Sequence, residues 1–121
     1  MAVIPYSRVE TPHDGGGLKI FVWRALAAND TGQPVTCGAY PDKTVQLVGT
    51  FGGNLLIEGS INPDPTAAVY ATLNDPQGNA LSAISAAKIE NILEHCHLIR
   101  PSAGASVSAV DVWLLLATGG R

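Results

Sequence analysis

The chain has 121 residues, 46% hydrophobic and 14% charged, with a formal net charge of -3. That length fits one domain; the composition is too apolar for intrinsic disorder, and a slight acidity without any Lys/Arg run argues against an electrostatic nucleic-acid binder. An average soluble domain is about 25% charged, so 7 Lys+Arg and 10 Asp+Glu leave a surface either dressed with Ser, Thr, Asn and Gly or covered by other chains.

Residues 1–17 carry Pro5, Pro12 and a glycine triplet at 15–17, and read as an irregular N-terminal arm ahead of a β-domain at 18–121. The first ten residues lack a basic region followed by an apolar stretch, so no signal peptide is expected. The apolar residues Val3, Ile4, Tyr6 and Val9 must lie on something, either their own domain or a neighbour.

From Leu18 the pattern becomes strand-like. Leu18, Ile20, Val22 and Arg24 alternate with Lys19, Phe21, Trp23 and Ala25, and the β-branched and aromatic content favours a strand. Asn29 to Pro34 is turn chemistry, followed by a short segment at Val35–Cys37 and another turn at Tyr40–Asp42. Thr44–Phe51 and Leu55–Ser60 alternate again, and the glycine-rich link Gly52-Gly53-Asn54 predicts a hairpin between them. Asn62-Pro63-Asp64-Pro65 must be a loop.

Val69–Leu73 and Ala80–Ile84 flank Asp75-Pro76-Gln77-Gly78, the signature of a type I turn, so a second hairpin is expected. Ile89, Ile92, Leu93 and Cys96 fall at helical spacing, yet the hairpin-rich surroundings favour a brief helical turn at 85–90 running into a strand from Ile92 to Arg100, which Pro101 ends. Val107–Ala117 is the last strand, with Val110, Val112, Leu114 and Leu116 on one face and Trp113 and Leu115 on the other. Its apolar run Val112–Ala117 falls far short of the roughly 18–20 residues of a membrane span. Seven to eight short strands at this spacing predict an all-β fold, an antiparallel β-sandwich of jelly-roll kind.

The sharpest chemical feature is His95-Cys96-His97. On a strand the two histidines would share a face, a metal-ligand geometry that cupin-like enzymes use. No acid follows them, and the third histidine, His13, sits in the arm, so His95 and His97 are better read as polar surface residues and no cofactor or metal is expected. Cys96 is a poor nucleophile candidate, because a neighbouring histidine on a strand points to the opposite face. Cys37 and Cys96 are too few for a disulfide scaffold and read as free thiols of a cytosolic product; their spacing leaves open whether they meet. The glycine clusters lack the strand-to-helix setting of a phosphate loop. The acids Glu58, Asp75, Glu90, Glu94 and Asp111 form no paired motif. Trp23, Phe51, Tyr70 and Trp113 read as core or interface anchors, with a sugar-binding platform as the alternative.

Val45…Val48-Gly49-Thr50-Phe51-Gly52-Gly53 followed by Ile57-Glu58-Gly59-Ser60 resembles a pattern in small head proteins of tailed bacteriophages. So do Leu73-Asn74-Asp75-Pro76-Gln77-Gly78-Asn79-Ala80-Leu81 and Ile99-Arg100-Pro101. The likeness is to the capsid decoration, or cement, family and covers about half the chain. Two places depart from that family. Ile61-Asn62-Pro63-Asp64-Pro65 replaces a glycine-rich turn leading to Trp, with Tyr70 in the Trp position, and the loop at 102–106 is poorer in Asp and Gly.

The resemblance implies a β-sandwich bound outside an assembled icosahedral shell, made in the host bacterial cytoplasm. It would bridge major capsid protein subunits as a dimer or trimer, with no catalysis and no nucleic-acid or membrane partner. Its partner-binding residues would lie in the arm: Val3, Ile4, Pro5, Tyr6, Arg8 and Val9. Removing residues 1–9 is then expected to weaken attachment more than fold stability. The alternatives are a carbohydrate- or receptor-binding sandwich of a phage tail and a cupin-like metalloenzyme using His95 and His97.

Overall fold

Period-two alternation of apolar side chains builds strands wherever two faces of a sheet must be served at once. The computed structural model describes residues 1–10 and 17–118. The described residues contain no helix and form β1 (Val3–Ile4), β2 (Tyr6–Val9), β3 (Leu18–Leu26), β4 (Thr31–Gly32), β5 (Val35–Thr36), β6 (Asp42–Thr50), β7 (Leu55–Ser60), β8 (Ala71–Thr72), β9 (Lys88–Asn91), β10 (Leu98–Ala103) and β11 (Ala109–Ala117).

Two sheets face each other. One runs β1-β4-β10-β7-β8, with β5 also on β10; the other runs β2-β3-β11-β6-β9. Pairing is antiparallel except for β1 on β4. Val45, Leu47, Val112, Leu114 and Leu116 from the five-stranded sheet meet Leu55, Ile57 and Ile99 from the other, all buried in one apolar cluster. This is the expected all-β, jelly-roll-like sandwich. Trp23 is sealed in the core and its indole N–H donates to the Gln33 carbonyl at 2.9 Å, which satisfies the one polar atom its ring would otherwise bury dry.

The structure differs from the sequence reading at five places, each for a tertiary reason. β6 and β7 are not a hairpin: they belong to opposite sheets. Gly52, at φ 65°, carries the chain across under the 106–108 loop, where a side chain would meet the Ser106 carbonyl and where Ser108 N–H donates to the Phe51 carbonyl. The expected helical turn at 85–90 is instead strand β9, paired with β6. Alternation shows in its burial, for Ile89 and Asn91 are exposed while Glu90 between them is half-buried.

The expected strand 92–100 starts only at Leu98 and does not stop at Pro101. Pro101 is tolerated because its ring packs against Gly32 of β4, where the missing side chain leaves the room it needs and no ladder pair forms. Residues 3–9, in turn, are not irregular. They are ladder strands on both sheets, β1 on β4 and β2 on β3. Of the expected hairpin of Val69–Leu73 with Ala80–Ile84 only the tip around Asp75 forms, because the Leu81 carbonyl and Ile84 bond to β7 instead. Gly78 N–H donates to the Asp75 carbonyl at 2.9 Å, and Asn74 bridges to Ala80.

Candidate functional site

Because β11 is central in its sheet, its outward side chains land in the middle of an outer face. Cross-strand register places Trp113 beside Val22 and Gln46, and Leu115 beside Ile20 and Thr44. Ile89 on β9 stands opposite Gln46. Together Ile20, Ile89, Trp113 and Leu115, with Thr44 and Gln46, line a shallow groove of about 250 Å³. Ile89 is 61% exposed, a large fraction for an isoleucine in a ladder. At one end the Arg24 guanidinium lies 5.1 Å from the Trp113 ring and 3.2 Å from the Asp111 carboxylate, so a cation caps an otherwise apolar floor. Sequence reading had Trp113 and Leu115 facing together but missed Ile20 and Ile89 as their neighbours, because that grouping depends on strand order.

The other sheet's outer face is built differently. Glu58 and Arg100 sit opposite each other and pair at 2.7 Å, and the same guanidinium stacks 3.8 Å from the Tyr70 ring. Burial pushes the Tyr70 hydroxyl above its ordinary range, and the Arg100 charge opposes that shift. Of the four aromatic anchors read from sequence, Trp23 and Phe51 are core, while Tyr70 and Trp113 belong to the two outer faces.

The expected partner-binding residues of the arm divide. Ile4 and Tyr6 pack against the protein's own core, and Tyr6 meets Phe21 edge-on at 5.2 Å. Val3, Pro5 and Arg8 are exposed, and Val9 is half-buried. The backbone is tied down as well: Thr31 and Gln33 N–H groups donate to the Ala2 and Ile4 carbonyls, and Ala2 N–H donates to Asp30.

His95 and His97 do not share a strand face, for residues 92–97 lie between β9 and β10. The His95 imidazole Nε2 is 2.7 Å from the Gly38 carbonyl oxygen, and the His97 ring occupies space that a side chain at Gly38 would need. His13 lies outside the described residues. Among the described residues no group of three His, Cys, Asp or Glu side chains could hold a metal ion. Nearby, burial alone would raise Glu94, but hydrogen bonds from the Asn74 amide side chain at 2.6 Å and backbone at 2.8 Å, with the Lys43 charge, hold it below its ordinary range.

The folded class is thus a two-sheet, jelly-roll-like sandwich. Solved structures share that architecture. The chain is similar to the SPBc2 prophage-derived protein YomS, with a TM-score of 0.61 at 10% identity over 89% of this chain and 96% of that one. It is similar to recombinant oxalate oxidase in complex with glycolate, with a TM-score of 0.50 at 10% identity over 96% of this chain and 52% of that one. A cupin domain from Bordetella pertussis Tohama I gives 0.48 at 15% identity over 96% and 97%. At such identities the likeness is one of fold alone. The sequence matches no family model and no curated protein.

Proposed function

We propose that this chain is a structural protein of a bacteriophage virion: a capsid decoration protein bound to the outside of the assembled head, where it bridges major capsid protein subunits and catalyses no reaction. The observation that carries the reading is the outer face of the five-stranded sheet. Ile20, Ile89, Trp113 and Leu115 lie there in one groove, Ile89 exposed and the other three half-buried. Covering apolar surface is worth roughly 25 cal/mol per Å², and several modest contacts on one shell multiply through avidity. A dimer or trimer would present that face more than once. The strand and turn motifs resembling decoration proteins support the reading, and the prophage origin of a protein with the same fold is in keeping with it. Val3, Pro5 and Arg8, exposed along the edge strands, are the arm residues free to extend the contact.

Co-sedimentation tests this directly. The protein is expected to pellet with assembled heads that lack it and to raise their resistance to heat. Its absence from purified virions would end the proposal. The groove also supports a second reading, because Trp113 beside Thr44 and Gln46 is the makeup of a sugar platform. Trp113-dependent binding on a glycan array, without binding to heads, would favour a carbohydrate-binding tail module instead.

A further inference from the structure

The two cysteines are far apart in sequence and adjacent in space. Cys37 follows β5 and Cys96 precedes β10, and these strands pair antiparallel with Leu98 opposite Thr36. The ladder continues one step further, since Cys37 N–H donates to the His97 carbonyl at 2.7 Å. That register brings the two Sγ atoms to 3.8 Å, and both thiols are free. A disulfide needs about 2.05 Å, so the sulfurs must close by roughly 1.8 Å, a movement on the scale of side-chain rotation. Gly59 makes the room: a side chain there would sit 2.9 Å from the Cys96 sulfur.

The pair is also asymmetric. Cys37 is fully enclosed, while Cys96 forms part of the lining of a surface hollow of about 230 Å³ with Gly38, Ile61, His95 and His97. The hydrogen bond from the Cys37 thiol favours the thiolate of Cys96 against the effect of burial, with the Lys43 charge assisting and Glu94 opposing. Cys96 is therefore the sulfur a reagent meets first and the better nucleophile of the two.

We propose that Cys37 and Cys96 form an intramolecular disulfide when the folded protein meets a low-molecular-weight disulfide, tying the β5 edge to the entry of β10. The Cys96 thiolate attacks one sulfur of the oxidant, whose S–S bond breaks and releases one thiolate, leaving a mixed disulfide on Cys96. Cys37 then gives up its proton and attacks the Cys96 sulfur, expelling the second thiol. The protein loses two hydrogens, and the oxidant is reduced to two thiols. A chain made under reducing conditions would so acquire its cross-link only on reaching oxidising surroundings.

The test uses the whole folded protein, reduced, desalted and incubated with oxidised glutathione near pH 8. It is then unfolded in guanidinium with iodoacetamide and weighed intact. The expected product has lost two hydrogens, takes up no iodoacetamide, yields a peptide linking residues 37 and 96, and unfolds roughly 10 °C higher than the reduced form. Cys37→Ala is expected to stop at a stable single glutathione adduct, whereas Cys96→Ala reacts far more slowly. Two alkylated cysteines in the wild-type protein, or glutathione retained on either without a 37–96 link, would overturn the proposal. The wild-type measurement decides it whether or not the variants fold.

Discussion

The two outer faces of this sandwich are made by the same kind of strand and finished in opposite ways. On the six-stranded sheet, Glu58 and Arg100 form an ion pair at 2.7 Å and the Arg100 guanidinium stacks on the Tyr70 ring, whose buried hydroxyl has no hydrogen-bond partner among the described residues. On the five-stranded sheet, Ile20, Ile89, Trp113 and Leu115 have only Arg24 for a lid at one end. An ion pair already made gains little from a partner, because each new contact must first break it. An apolar face gains by being covered. The difference lies in where the ion pair stands: Glu58 and Arg100 pair across β7 and β10 on one face, whereas Arg24 and Asp111 pair at one end of the apolar groove on the other.

Residues 1–9 contribute an edge strand to each sheet, β1 on β4 and β2 on β3. Deleting them is expected to cost several kcal/mol, on the order of half the stability of a small domain, measured as a large fall in Tm. An unchanged Tm would return the segment to the status of a loose arm. Next, Trp113→Ala is expected to cost roughly 2–4 kcal/mol of head binding, as removal of a central aromatic anchor does, while its half-buried position keeps the stability loss near 1 kcal/mol. Co-sedimentation and thermal unfolding on the same variant separate the two.

Arg100→Ala should do the reverse. It leaves Glu58, whose side chain is only 14% exposed, without its cation, and is expected to lower stability by about 1–2 kcal/mol with no change in binding. Equal binding losses in the Trp113 and Arg100 variants would erase the distinction between the faces. The smallest effect concerns acid. Glu94 is held below its ordinary value of 4.5, so its contribution is complete above that pH and is lost as the pH falls through the depressed folded-state value. Glu94→Gln is expected to flatten the acid limb of a Tm-versus-pH curve while leaving head binding near neutral pH untouched.

Much of the strand content was legible from the chain. β3 begins and ends where alternation begins and ends, at Leu18 and Leu26. The Asp75 turn is written in Pro76 and Gly78, since Pro presets one turn dihedral and glycine takes the φ of 87° that another residue resists. The Gly52-Gly53-Asn54 link misleads because a tight reversal and a crossing between sheets use the same permissive residues. The 89–96 segment misleads because its spacing satisfies a helix and a strand break equally well, and only pairing with β6 decides. The N-terminal strands are too short to read by alternation; what makes them strands is the edge that β3 and β4 offer.

The missing charges with which the chain announces itself follow from composition, and so does the all-β class, because alternation and turn chemistry are local properties. Which apolar residues end up together on an exposed face, and that Cys37 touches Cys96, follow from strand order and register. Those are settled by contacts between segments tens of residues apart, where the winning pairing is the one that buries both inner faces at once.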